Sequence, residues 1–221
     1  MVEPSFIIPT TTATSVPQQE QQIESVFVEE FQRKVTPRDA KVHWPQRHPI
    51  KCALHHFPEG YPFKCVELGV LDGDHSYEML SVLEPAELYL VDLWSDINMT
   101  GEGGDYLTDS QEDWDRRYLA VVDRYIKYGC ARPLRMSTHS ASKVVPNDLD
   151  LVYIDANHEY EAVLNDMADW FPKVRQGGIL SGDDYCRETV VNAVADFLKD
   201  YPQYELQISD NVTQWWFIKE D

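Results

Sequence analysis

Residues 151–185, LVYIDANHEYEAVLNDMADWFPKVRQGGILSGDDY, read as strand, helix, strand. The apolar run Leu151–Ile154 has the length of a buried parallel strand. Tyr160, Val163, Leu164, Met167, Trp170, Phe171 and Val174 then recur at helical spacing. Gly177-Gly178 is expected to end that helix, and Ile179-Leu180 to open the next strand. Each strand runs into carboxylates, Asp155 after the first and Asp183 and Asp184 after the second. Ligands of open parallel sheets gather beyond the carboxyl ends of the strands, so adjoining strands bring these acids and His158 to one rim.

One Asp after a strand is ordinarily a turn former or helix cap. Three carboxylates at two neighbouring strand tips repel one another unless a cation sits among them. The pattern therefore predicts an oxygen-ligand cation site with a base, His158, beside it. Side chains alternate along a strand, so Asp183 and Asp184 reach one ion only if the chain turns out of the strand after Gly182.

The bulk composition sets limits around this core. A chain of 221 residues with 43% hydrophobic content can hold one substantial α/β domain and a tail. Its 38 acidic against 19 basic residues leave a formal charge of −19, which repels a phosphate backbone and an anionic membrane surface. Neither nucleic acid nor membrane is an expected partner. Cys52, Cys65, Cys130 and Cys186 form no CxxC pair, so neither a zinc site nor a disulfide framework is indicated. A reduced, cytoplasmic setting fits that usage. The opening MVEPSFIIPTTTATSVPQQEQQ has no basic n-region, and no segment has the apolar length of a membrane span.

Residues 1–21, rich in Thr, Gln and Pro, bury too little to offset chain entropy and are expected to form a disordered or loosely docked arm. Residues 22–62 hold a leading helix, with Ile23, Val26, Phe27, Phe31 and Val35 on one face, and then a segment rich in Pro and His. That helix packs on the domain, joins a homodimer contact or covers the substrate. The prolines at 37, 45, 49, 58 and 62 hold His43, His48, His55 and His56 out of long regular elements, and a short helix over Ile50–Phe57 is the better reading than a metal site.

Residues 63–221 form the main domain. Phe63–Val70 is its first strand, followed by a turn bearing Gly69 and Gly73 and a helix through Met79, Leu80 and Leu83. A strand entering a glycine-bearing turn ahead of a helix is the geometry that holds a cofactor. The pattern Glu67-x-Gly69-x-x-x-Gly73 is not the GxGxxG of dinucleotide folds. Leu88–Leu93 is the second strand, and Asp92 near its end, about 20 residues past the glycine turn, is positioned to accept ribose hydroxyls. Trp94 covers an adenine ring or fills the core. Residues 95–109 form a polar, Gly-rich loop with the length of a lid. Ser110-x-x-Asp113 resembles a capping box and opens a helix with Trp114, Tyr118, Val121, Val122 and Tyr125 on one face. Pro133–Ser137 is expected as the third strand, bringing Ser137 to the rim and the adenine edge. A helix over Val190–Tyr201 and a closing hairpin, Tyr204–Ser209 with Gln214–Lys219 around Asp210-Asn211, complete the chain.

The span from Phe63 to Lys219 resembles class I S-adenosylmethionine-dependent methyltransferases. Within them, IDANHEYEAVLNDMADWFPKVRQGGILSGDDY is similar to the metal-dependent sugar O-methyltransferases of the macrocin and mycinamicin type. The resemblance implies a Rossmann-like seven-stranded sheet of order 3-2-1-4-5-7-6, with the last strand antiparallel and helices on both faces. It implies that Asp155, Asp183 and Asp184 bind Mg2+ and that His158 is the catalytic base. It further implies that Glu67, Gly69, Gly73, Ser76, Asp92, Leu93, Ser137 and Asp155 line the S-adenosylmethionine site. The chain departs from that pattern twice: Asp74-His75 stand where a small Gly-Ser pair is usual, and Ala156-Asn157 where relatives carry Gly-Asp. An amide cannot take a proton, which leaves His158 as the base.

The implied reaction moves a methyl group from a sulfonium to a hydroxyl of a small molecule, a sugar or glycoside. Two rivals stand beside it: a metal-independent methyltransferase of the same fold, and an NAD-dependent oxidoreductase, disfavoured by the missing third glycine. A nucleoside-binding module without catalysis is the non-enzymatic alternative.

Overall fold

A computed structural model describes residues 48–95, 110–209 and 212–220. The leading helix, the 96–109 part of the expected lid and the Asp210-Asn211 turn lie outside the described residues. The elements in chain order are α1 (His48–His56), β1 (Lys64–Leu68), α2 (Asp74–Leu83), β2 (Glu87–Asp92), α3 (Gln111–Tyr125), β3 (Ala131–Arg135) and α4 (Thr138–Ser142). They continue as β4 (Leu149–Ile154), α5 (Tyr160–Trp170), β5 (Val174–Gly182), α6 (Glu188–Lys199), β6 (Gln207–Ile208) and β7 (Trp215–Ile218). The strands form one seven-stranded sheet of order β3-β2-β1-β4-β5-β7-β6. β1 to β5 run parallel, and β7 is antiparallel to both β5 and β6.

Period-two alternation decides which helices each strand meets. Cys65, Leu88, Leu90, Leu151 and Ile179 pack with Ile50, Met79, Val121 and Tyr125 of α1, α2 and α3. Their neighbours Val66, Tyr89, Val91, Val152 and Leu180 pack on the other face with Ala141, Val163, Met167, Trp170, Val194 and Phe197 of α4, α5 and α6. Both faces of the sheet are thus covered. β4, buried at every position from Leu149 to Ile154, is the central strand and is apolar apart from Asp150. Asp150 is accounted for by Tyr61 Oη, the Lys64 amide and Arg175 Nε, which all donate to its carboxylate.

Three local expectations are corrected. The central helix stops at Trp170, where a 3-10 turn over Phe171–Lys173 carries Pro172, a residue without an amide proton. Gly177-Gly178 instead lie inside β5, at a bulge where the pairing jumps from Leu149↔Val174 to Leu151↔Ile179. There Gly177 has a φ of +74°, and a Cβ on Gly178 would sit 2.9 Å from the Leu149 carbonyl oxygen. The third strand runs over Ala131–Arg135 rather than Pro133–Ser137, and Ser137 caps α4 by accepting the Ser140 amide at 3.1 Å. Trp94 belongs to the core: it is fully buried, its ring meets Tyr118 and its Nε1 donates to the Leu71 carbonyl. The Ser110–Asp113 capping box is present at the start of α3.

Candidate active site

The rim is built where the tips of β1, β4 and β5 are stitched together by backbone. The Asp155 amide donates to Leu68 O at 2.7 Å, and the Asp183 amide to Ile154 O at 3.0 Å. Side chains carried by these three tips must therefore converge. Gly69 at the end of β1 has a φ of +86°, and a Cβ there would overlap the Asp155 carbonyl oxygen. β5 ends at Gly182, and Asp184 adopts a left-handed φ of 56°, so the chain leaves the strand direction at the acidic pair.

Asp155, His158 and Asp184 offer ligand atoms that all lie within 4.8 Å of one another, and all three are partly exposed. His158 Nε2 stands 2.7 Å from Asp184 Oδ2 and 3.9 Å from Asp155 Oδ1. The carboxylates of Asp155 and Asp184 raise the His158 pKa to about 9 against the opposing pull of desolvation. The reciprocal hydrogen bond from His158 holds Asp184 below the usual carboxylate range, helped by Arg187. Arg187 Nε donates to Asp184 Oδ1 at 3.3 Å. Asp183 turns its Oδ1 back to accept the Asp184 amide at 2.9 Å.

Two carboxylates and an imidazole converging at a solvent-open rim are a donor set suited to a divalent cation that keeps water or substrate oxygens in its remaining positions. Within the chain itself, Asp184 is balanced by two cationic partners, because His158 and Arg187 each engage one of its oxygens. Sequence reading missed Arg187. Its signal was its place three residues after Asp184, at the N-cap of α6.

The glycine turn is held from several sides. Asp92 Oδ2 accepts the amides of Val70 and Leu71, both at 2.9 Å, and Oδ1 accepts the Trp94 amide at 2.8 Å. Leu71 and Trp94 both have positive φ, so Asp92 fixes two strained residues whose conformation the chain would not hold alone. Tyr125 Oη donates to Gly73 O from α3, Arg117 pairs with Asp72, and Arg124 with Asp74. Glu67 is buried in β1, where it accepts from Ser76 Oγ and lies 3.0 Å from His75 Nδ1. His75 packs against Tyr153 of β4 and fills space under the turn, while Asp74 lies exposed beside Arg124. Leu93 is 42% exposed just past the end of β2.

The sheet order, the glycine turn after β1 and the acidic rim over β4 and β5 define a Rossmann-like methyltransferase fold. The methyltransferase-domain family model matches residues 66–185, more than half of the chain, and the protein belongs to that family. Among solved structures, the O-methyltransferase NovP superposes with a TM-score of 0.55 at 18% identity, over 78% of each chain. SMU.1697c from Streptococcus mutans, solved in complex with SAH, gives 0.54 at 11% identity over 78% of this chain and 98% of that one. An rRNA methylase from Streptococcus thermophilus gives 0.55 at 10% identity over 81% and 99%. A curated protein, the uncharacterized R132 of Acanthamoeba polyphaga mimivirus, is 39% identical over 41 residues, 19% of each chain. Among the described residues no helix is long and apolar enough to cross a membrane.

Proposed function

We propose that the protein is an S-adenosylmethionine-dependent O-methyltransferase acting on a hydroxyl of a small molecule, a sugar or glycoside, with His158 as the base. The observation that carries this reading is the meeting of Asp155, His158 and Asp184 beside the glycine turn of a methyltransferase fold. The formal charge of −19 argues against an RNA acceptor, although rRNA methylases share the fold.

S-adenosylmethionine supplies an electrophilic methyl group when bound, and Mg2+ at this rim would supply a positive field that makes a hydroxyl easier to deprotonate. Asp155 and Asp184 are the acids suited to hold the ion, while Asp183, next to Asp184 in the chain, turns its Oδ1 to the Asp184 amide. Gly69 lets the tip of β1 lie directly against the Asp155 backbone beside the proposed donor site, and Asp92 supports the turn that follows it. Leu93 and Ser137 are assigned to the adenosine end. Glu67 and Ser76 act from beneath by bracing the start of α2.

A base must be free of its proton before it can accept one. With a pKa near 9, His158 is protonated at neutral pH while it faces the carboxylates of Asp155 and Asp184. It can serve as base only when those carboxylates are engaged elsewhere, which is why the reading couples it to a cation. The pairing of Asp184 with both His158 and Arg187 favours a second reading, a metal-independent enzyme in which the acids are balanced by the chain itself.

The test is a methyl-transfer assay with labelled S-adenosylmethionine over a panel of glycosides, catechols and phenols, run with EDTA and with Mg2+ restored. Transfer to a hydroxyl that EDTA abolishes and Mg2+ restores supports the first reading. Transfer indifferent to EDTA selects the second. No transfer to any oxygen acceptor removes both.

A further inference from the structure

The peptide unit joining His158 to Glu159 stands in the loop between β4 and α5, ahead of the first helical turn. Both of its polar ends are met by side chains. Thr189 Oγ1, from the first turn of α6, donates to the His158 carbonyl at 2.6 Å. Asn157 Oδ1 accepts the Glu159 amide at 2.8 Å, an Asx-type turn. One peptide plane is thereby fixed at its C=O from 31 residues away and at its N–H from next door. The plane contains the His158 Cα, so holding it fixes the Cα and the Cα–C bond from which the side chain starts. Glu159 is the N-cap of α5 and makes no side-chain cap bond, so the helix start itself does not supply this restraint.

We infer that Thr189 and Asn157 are positioning residues that aim the His158 imidazole at Asp184. The inference rests on the reading of His158 as the base and adds to it the parts that hold the base still. It also gives Asn157, which stands where relatives carry an acid, a task that needs only an acceptor oxygen. Rings aimed by packing alone sample several rotamers, and a base displaced by about 1 Å loses on the order of 100-fold in rate. A hydroxyl reaching across from α6 also ties the His158 backbone to the segment that carries Asp184 and Arg187, since Thr189 follows Arg187 by two residues.

The experiment compares wild type with Thr189→Val, Thr189→Ser and Asn157→Ala in the full chain. Three quantities are read: the ring-nitrogen NMR signals of His158, the affinity for adenosylhomocysteine by calorimetry, and kcat and KM for transfer. Thr189→Val is expected to move the His158 ring signals toward those of an imidazole without a carboxylate partner. It should cut kcat at least tenfold, leaving KM for the methyl donor and adenosylhomocysteine affinity within twofold. Thr189→Ser, which keeps the hydroxyl, should restore both, and Asn157→Ala should act in the same direction as Thr189→Val. Unchanged ring signals in Thr189→Val and Asn157→Ala overturn the inference. Displaced ring signals in a protein that methylates nothing leave the positioning intact and remove the functional reading instead.

Discussion

Gly69 and Asp155 share one space: the backbone of β1's last turn runs so close to the carbonyl of Asp155 that no side-chain carbon fits between them. The contact is backbone on backbone, so neither partner can swing aside as a long side chain would. Gly69 also holds a φ of +86°, which an L side chain rarely adopts. Gly69→Ala is therefore expected to cost at least about 3 kcal/mol, from strain and overlap together. Urea denaturation followed by tryptophan fluorescence measures it. A midpoint equal to that of wild type would mean that the tips of β1 and β4 do not approach this closely.

His158→Ala removes the proposed base and leaves the glycine turn untouched. Turnover should fall by about 10²- to 10⁴-fold, with adenosylhomocysteine still raising the melting temperature as it does in wild type. Retained turnover would move the base elsewhere. The same variant carries a stability signature. Because its folded pKa is raised from 6.5 to about 9, His158 contributes stability that is fully present below pH 6.5 and lost as pH rises through 9. In cation-free buffer wild type should lose stability over that window more steeply than His158→Ala. Parallel curves would show that the imidazole has no carboxylate partner in solution.

The acidic pair offers a sharper contrast, since Asp184 faces His158 while Asp183 Oδ1 faces the backbone. Asp184→Asn is expected to weaken Mn2+ binding, followed by calorimetry, by tenfold or more, and to lower the His158 pKa toward 6.5. Asp183→Asn keeps an oxygen for the Asp184 amide and should have the smaller effect on the His158 pKa. Equal shifts in that pKa from the two variants would mean that both carboxylates turn toward the imidazole.

Much of this architecture is legible in the residues alone. Alternating and continuous apolar runs placed the sheet, and Ser110-x-x-Asp113 marked a helix start that the chain realises. The departures have local causes that sequence spacing hides. Pro172 ends α5 ahead of the glycine pair, although Phe171 and Val174 continue its apolar rhythm, and both are buried for other reasons, one in a 3-10 turn and one in a strand. Ser137 reads equally well as the end of a strand or the cap of a helix, and only the pairing of Asp92 with Arg135 shows where β3 stops. Trp94 is core because Leu71 offers it a carbonyl, a contact 23 residues distant. At the rim, Asp155, His158 and Asp184 meet because neighbouring strand tips must. Thr189 is illegible because its partner, the His158 carbonyl, lies 31 residues away, whereas Arg187 stands three residues from Asp184 and that spacing is open to reading.

A last consequence concerns Asp166, buried on α5 where it faces the start of α4. Burial pushes its pKa up from 3.8 to about 6, the Thr138 hydroxyl opposes that rise, and the charge of Asp169 adds to it. Asp169 is itself paired with His139 Nδ1 at 2.7 Å. Since the folded pKa lies above the unfolded one, Asp166 favours folding fully below pH 3.8, and this contribution disappears as pH rises through 6. The corresponding stability difference approaches about 3 kcal/mol. Asp166→Asn keeps an oxygen for the Thr138 hydroxyl and carries no charge at any pH. It should therefore be more stable than wild type above pH 6, and the gap should close between pH 6 and pH 4. Other acids of the chain titrate in both proteins and drop out of the comparison. Denaturation midpoints of the two proteins across that range give the answer, and a gap that does not change with pH would place the Asp166 carboxylate in water.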